Sequence, residues 1–177
     1  MSENISVTNK PDFKKWSKTN HYQPTTINMA EIKWICKHFE LMTPHELYAM
    51  LRLRCEVFVV EQKCLFLDID GNDNCYHLMG FDGDLLVAST RLLAPNTVYE
   101  EMSIGRVVSA ASHRGVGIGQ TLMRKSIEQC YQLFGFGTIK IGAQLYLKKF
   151  YESFGFQQIG TIYLEDDIEH IKMIKKC

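Results

Sequence analysis

Three glycines alternate in Arg114-Gly115-Val116-Gly117-Ile118-Gly119-Gln120, between a strand-like segment and a long amphipathic stripe. Glycine enters positive φ without steric cost, so such a run lets the backbone turn tightly and aim several N–H groups at one point. A helix starting there adds unpaired first-turn amides and partial positive charge. Such a junction suits phosphate or pyrophosphate. The chain has no G-x-x-x-x-G-K-S/T, which excludes a P-loop, and Gln120 stands where the dinucleotide fingerprint wants a third turn glycine. Taken alone, the loop is equally compatible with a flexible connection.

The surrounding pattern is that of one α/β domain with a mixed sheet. Residues 1–30 are polar, carry Lys10, Lys14, Lys15 and Lys18, and read as a mobile tail, with a partner-binding arm as the alternative. Ile32–Phe39 alternates as a strand. Thr43-Pro44-His45-Glu46 then matches a capping box opening a helix that carries Leu47, Leu51, Arg54 and Phe58. Asp68–Asn74 is turn chemistry. Strands are expected over Tyr76–Phe81 and Leu85–Leu93, joined around Asp82-Gly83, and over Met102–Ser109. A helix follows from about Gly117 with Leu122, Met123, Ile127, Cys130 and Phe134 on one stripe. Thr138–Ala143 reads as a strand, Leu145–Phe154 as a helix stopped by Gly155, and Phe156–Tyr163 and Glu169–Lys175 as two more strands.

Composition narrows the function. Twenty basic residues balance twenty acidic ones in 177, so no global field exists to hold a nucleic-acid backbone. No apolar run approaches the roughly 20 residues of a bilayer span, and MSENISVTNK lacks the order of a signal peptide. The six cysteines form no C-x-x-C pair and no metal-ligand spacing, so a cytoplasmic protein with reduced thiols and no metal is expected.

About thirty residues beyond the loop comes Gly142-Ala143-Gln144-Leu145-Tyr146-Leu147-Lys148-Lys149-Phe150-Tyr151-Glu152-Ser153-Phe154-Gly155-Phe156. With it the chain resembles the GNAT superfamily of acetyl-CoA-dependent N-acyltransferases. The pyrophosphate motif R/Q-x-x-G-x-G/A is matched by Arg114, Gly117 and Gly119, and the second motif by Phe150-Tyr151 through Gly155-Phe156. Leu53–Gln62, Asp68–Gly71, Ile104–Val108 and Gly142–Gln144 are similar to the ElaA-type branch, and the likeness runs from about Ile32 to the C-terminus. The resemblance implies a single GNAT domain over 31–177, with a mostly antiparallel central sheet flanked by helices. It further implies acetyl transfer from acetyl-CoA to a small-molecule or peptide amine in a ternary complex, and a homodimer.

Residue by residue, the resemblance assigns the diphosphate to the amides of Gly115, Val116, Gly117, Ile118, Gly119 and Gln120 with Arg114. The pantetheine arm falls to Val107 and Val108, with Gln144 and Phe150 completing the cofactor contacts. Gly105 is placed to permit a strand bulge, and the Val108 amide is the candidate oxyanion donor, a group whose loss costs about 3–4 kcal/mol of transition-state stabilisation. Tyr151 corresponds to the tyrosine that faces the departing thiolate. Spacing also sets Leu147, Phe150, Tyr151 and Phe154 on a core stripe. Glu101 is the candidate base; Glu100 points the other way on the strand, and Glu61, Asp70 and His77 are alternatives from the acceptor side. The order of Arg54, Phe58, Asp70, Asp73 and Arg91 also resembles acyl-homoserine-lactone synthases, although the tryptophan those enzymes carry after the Phe is absent. With Glu61, the set Arg54, Phe58, Asp70 and Arg91 is expected to bind the acceptor; an ion-pair network is the structural alternative. A non-catalytic acetyl-CoA or nucleotide sensor is the remaining reading.

Overall fold

The computed structural model describes residues 29–177. The expectation for residues 1–30 therefore lies almost wholly outside the described residues. Seven strands form one sheet: β1 (Lys33–His38), β2 (Tyr76–Asp82), β3 (Leu85–Leu93), β4 (Met102–Ser109), β5 (Ile139–Gln144), β6 (Gln157–Glu165) and β7 (Ile168–Lys175). Their order is β1-β2-β3-β4-β5-β7-β6, antiparallel throughout except where β4 and β5 run parallel. The helices are α1 (Pro44–Arg54), α2 (Ile118–Phe134) and the short α3 (Lys148–Glu152).

Period-2 alternation in the strands builds two cores. On one face Leu122, Met123 and Cys130 of α2 bury against Leu92, Ile104, Ile139, Ile141 and Met173. On the other, Met50 and Leu53 of α1 cover Met79, Leu86 and Val108. The α1 start is the expected capping box, with the Thr43 hydroxyl accepting from the Glu46 N–H and Glu46 accepting from the Thr43 N–H.

Two helices differ from the sequence expectation. The α1 pattern continues past Arg54, but as a π-helix over Cys55–Glu61, closed by a Gln62 N–H bond to the Val57 carbonyl five residues back. The wider turn belongs to a segment that lines the site described below, a common setting for π geometry. The Leu145–Phe154 helix is a 3-10 turn at Leu145–Leu147 followed by α3 alone. After Glu152, three-residue turns and Gly155 at φ +85° reverse the chain.

The parallel pair is brief, since Met102 pairs with Ile139 and Ser103 with Lys140 and the two strands then part. A bulge in β4 accompanies the divergence. Arg91 sits opposite Gly105 and Ser89 opposite Val108, so Arg106 and Val107 together face Thr90. The bulged residue is Arg106, at φ +49°, and not Gly105. A long side chain in the left-handed region is uncommon. Here the guanidinium is anchored by Asp68 at 2.8 Å and Asp70 at 3.0 Å, which holds the backbone in place.

Candidate active site

Where β4 and β5 separate, a cavity of about 600 Å³ opens between the sheet, the π-helix and the β5–α3 junction. Beyond Ser103 the β5-facing edge of β4 has no strand partner among the described residues, so its backbone groups are available to an extended ligand. Both Val107 and Val108 line the cavity, but they differ in role. The Ala110 N–H donates to the Val87 carbonyl at 2.8 Å. Strand alternation then turns the Val108 N–H toward β3 and leaves those of Val107 and Ser109 facing the opening. The Val108 side chain, 3 % exposed, is fixed in the core beneath α1. The Val108 amide, expected to be the oxyanion donor, is therefore turned away from the cavity, because the bulge at Arg106 resets the phase.

A second recess of about 160 Å³ adjoins the first and is lined by Ser109, Arg114, Gly115, Gly117, Ile118, Gly119 and Gln120. Gly115 and Gly117 hold φ +79° and +90°, and these are the two glycines that the turn requires. Gly119 is helical, and a Cβ there would meet the Phe150 ring at an ordinary 3.9 Å. Val116, 43 % exposed, does not line the recess. No side chain caps α2, whose first internal bond runs from the Thr121 N–H to the Gly117 carbonyl. The amides of Ile118, Gly119 and Gln120 are thus left without helical partners, as an anion site needs.

Arg114 donates to the Ser109 carbonyl at 3.1 Å and grips both carboxylate oxygens of Glu61, the second at 3.0 Å. The Arg114 hydrogen bonds outweigh partial burial and lower the Glu61 pKa. Glu61, expected on the acceptor side, is instead tied to the glycine loop. Across the same opening the Gln144 amide bonds Gln62 at 3.2 Å.

Tyr151 is 5 % exposed and packs edge-on against Phe150 and Phe156, with centroids 5.1 and 6.1 Å away. It also lines the main cavity with Leu147 and Phe150, so the core stripe and the site coincide in one side chain. Burial pushes its phenol well above the ordinary tyrosine value, so it stays protonated.

Glu101 is not on the cavity wall. Its strand phase matches Ser103, whose partner is Lys140, and the carboxylate meets that ammonium at 3.3 Å. The carboxylate expected as the base thus lies outside the cavity and is paired with Lys140.

The arginine–aspartate set does assemble, with two members that the sequence reading missed. Arg54 bonds Asp68 at 2.8 Å and Asp73 at 2.7 Å; Arg91 grips Asp70 at 2.6 and 2.8 Å and reaches Asp73 at 3.3 Å; Arg106 completes the ring. Arg54 is 1 % exposed and off the cavity wall, so it braces the network and does not contact an acceptor. Phe58, Asp70, Arg91 and Arg106 do line the wall. Burial alone would raise the Asp70 pKa, but hydrogen bonds from Arg91 and the Asn72 amide, with both arginine charges, hold it well below the carboxylate range. His77 is buried, 2.9 Å from the Asp73 carbonyl, and structural.

The far wall of the cavity comes from β7 and the segment before β4, with His170, Lys172 and Tyr99. None was singled out from sequence. The available signal was His170 and Lys172 at i and i+2 on a strand, which puts both on one face. The His170 Nδ1 lies 2.8 Å from the Ile168 carbonyl, which can only accept, so Nδ1 carries the proton and Nε2 is the basic nitrogen of the neutral ring.

Comparison with known proteins supports the family that the sequence motifs suggest. The family model "Acetyltransferase (GNAT) domain" covers residues 53–177. Protein ElaA of Escherichia coli is 41 % identical over 148 residues, spanning 82 % of this chain and 97 % of its own. Its crystal structure superposes with a TM-score of 0.77 at 40 % identity, covering 82 % of this chain and 99 % of that one. An acyl-CoA N-acyltransferase from Pseudomonas aeruginosa gives 0.78 at 41 % identity, over 81 % and 99 %. A CoA-dependent acyl-homoserine lactone synthase shares the fold, at 16 % identity and TM-score 0.65 over 81 % and 82 %. On the family model and these relatives, the chain belongs to the GNAT acyltransferases, in the ElaA-type branch.

Proposed function

We propose that this protein transfers an acetyl group from acetyl-CoA to a primary amine by direct attack within a ternary complex. One observation carries the reading: the unpartnered edge of β4 leads from the main cavity to the uncapped first turn of α2. A diphosphate on the amides of Ile118–Gln120, with Gly115 and Gly117 turning the loop, would let a pantetheine arm pair along Val107–Ser109. Phe150 and Gln144 flank that path, and the thioester would reach Tyr151. Calorimetry with coenzyme A and thiol release from acetyl-CoA over an amine panel test it. No affinity for coenzyme A in the folded protein would end the reading, and tight binding without turnover on any amine would favour a sensor.

The chemistry divides among four groups. The neutral amine attacks the thioester carbonyl carbon, and the Val107 N–H receives the developing oxyanion. His170 Nε2 takes the proton that the amine loses. As the carbon–sulfur bond breaks, the Tyr151 hydroxyl gives its proton to the thiolate. A phenol near pKa ~10 facing a thiol near ~8.5 makes that transfer uphill by roughly 2 kcal/mol, and burial adds to it. The step therefore proceeds with bond breaking rather than ahead of it.

The base assignment has its own test. Tyr163 packs beside His170, ring centroids 5.8 Å apart, and the carboxylates Glu165 and Asp166 line the same cavity. His170→Gln is expected to lower kcat/KM about a hundredfold near pH 7, at the weak end of general-base effects because solvent also takes amine protons. Coenzyme A binding by calorimetry and the melting temperature are expected to hold. An unchanged kcat/KM would return the role to another group.

Glu61 competes with the diphosphate for Arg114. Both partners are about two-fifths exposed, so the pair is worth at most about 1 kcal/mol. Glu61→Gln is expected to leave the melting temperature nearly unchanged and to tighten coenzyme A binding, up to about fivefold, by calorimetry.

A further inference from the structure

We propose that Lys172 and Tyr99, with Tyr163 behind them, form a carboxylate-binding site, and that the acceptor is a small amino acid with its amine and carboxylate one or two carbons apart. The inference rests on the acetyl-transfer reading and names its substrate class.

Lys172 lines the cavity and donates to the Tyr99 hydroxyl oxygen at 2.7 Å. Its ammonium lies over the Tyr99 and Tyr163 rings, 5.0 and 4.8 Å from their centroids. Burial opposes the charge, yet the tyrosine oxygens more than offset it and the lysine pKa is raised. Lys140, also over Tyr99, has its charge taken by Glu101. Lys172 joins no ion pair among the described residues. The remaining cavity-wall cations are already engaged, Arg91 and Arg106 with aspartates and Arg114 with Glu61. Among the described residues, one uncompensated cation thus faces the cavity, and the Tyr99 O–H, accepting from the ammonium, is free to donate inward.

Glycine at 142 keeps this corner open. A Cβ there would stand 3.2 Å from the Tyr163 hydroxyl, 3.3 Å from the Lys172 ammonium and 3.6 Å from the Tyr99 hydroxyl. The Tyr163 hydroxyl is buried and has no partner in hydrogen-bonding geometry. The Tyr163 ring, 4.8 Å from the ammonium, holds Lys172 in place as a positioning residue.

Charge and spacing select the ligand. A single free cation plus a phenol donor suits a monoanion with two acceptor oxygens. A dianion such as a phosphate would meet repulsion from Glu165 and Asp166 on the same wall. Lys172 lies two residues from His170 on the same face of β7, about 6–7 Å along the strand. An amine and a carboxylate one or two carbons apart fill that span with a hydrogen bond at each end.

The test uses α-amino acids and β-alanine, each beside its amide and its decarboxylated amine, as acceptors in thiol release. The same panel is titrated by calorimetry into protein loaded with coenzyme A. The free acids are expected to show a KM at least tenfold below their amides. Lys172→Gln should erase that difference, Lys172→Arg should restore most of it, and Tyr99→Phe should erase part. The KM for acetyl-CoA and the rates on decarboxylated amines should move less than twofold. Amides used as well as acids by the unaltered protein, or a Lys172→Gln loss equal on every member, would overturn the proposal. If no panel member releases thiol but acids bind the unaltered protein more tightly than Lys172→Gln, the carboxylate site stands and acetyl transfer fails. If neither turnover nor binding depends on the carboxylate, the site is refuted.

Discussion

Tyr151→Phe is expected to lower kcat about a thousandfold, within the range of general-acid effects, while coenzyme A binds as tightly as before. The substitution removes one oxygen and leaves the ring, so the edge-on contacts to Phe150 and Phe156 persist. The diphosphate recess is built from other residues altogether. A purely structural tyrosine would show a stability change without a selective loss of kcat. A proton donor shows the reverse: thiol release collapses, the melting temperature holds, and calorimetry with coenzyme A is unchanged. The deficit should also depend on the leaving group. An acyl donor whose thiol is more acidic needs its proton less, so such a donor should recover much of the loss. Equal kcat for the two proteins across the pH range would take Tyr151 out of the chemistry.

The sequence reveals the cofactor side of this protein far better than the acceptor side, for a physical reason. The glycine loop, the capping box at Thr43 and the hairpin joining β2 to β3 at Asp82-Gly83 are local: each is dictated by residues within a few positions. Their expected places match the structure to within a residue or two. The errors arise where tertiary contacts decide. Gly105 is the residue that local rules choose for a bulge, but the bulge falls at Arg106 because Asp68 and Asp70, nearly forty residues away, hold its guanidinium. That shift reverses which amides of β4 face the cavity. Glu101 looks available until β5 supplies Lys140, and Glu61 looks like an acceptor-side group until the glycine loop supplies Arg114. His170, Lys172 and Tyr99 form no motif; they meet only because the last strand inserts between β5 and β6.

Two arginines two positions apart should give opposite results when replaced by methionine. Arg52 is half exposed and pairs with Glu56 one turn on, at 2.7 Å. Such pairs contribute about 0.3–0.5 kcal/mol, so Arg52→Met should shift the melting temperature by no more than a degree or two. Arg54 has a contact as short, but it is buried and shared by two buried carboxylates. Methionine would roughly fill the volume and leave Asp68 and Asp73 short of their main counter-charge, in a place where water cannot replace it. Removing one partner of a buried network costs about 3–5 kcal/mol. At about 2–4 °C per kcal/mol for a domain of this size, the melting temperature should fall by roughly 6–20 °C. Urea unfolding should report the same loss as a lower midpoint at unchanged slope. The damage should not stop at stability, because Asp68 also anchors Arg106 at the β4 bulge that sets the amide phase. Arg54→Met should therefore lower activity below the melting transition as well. Adding Asp68→Asn and Asp73→Asn should restore part of the stability, since neutral amides carry no stranded charge. It should not restore the activity in full, since the charged Asp68 tether of Arg106 is lost and the Asp70 carboxylate alone then holds that guanidinium. Recovery of both together would mean that the network stabilises the fold without shaping the site.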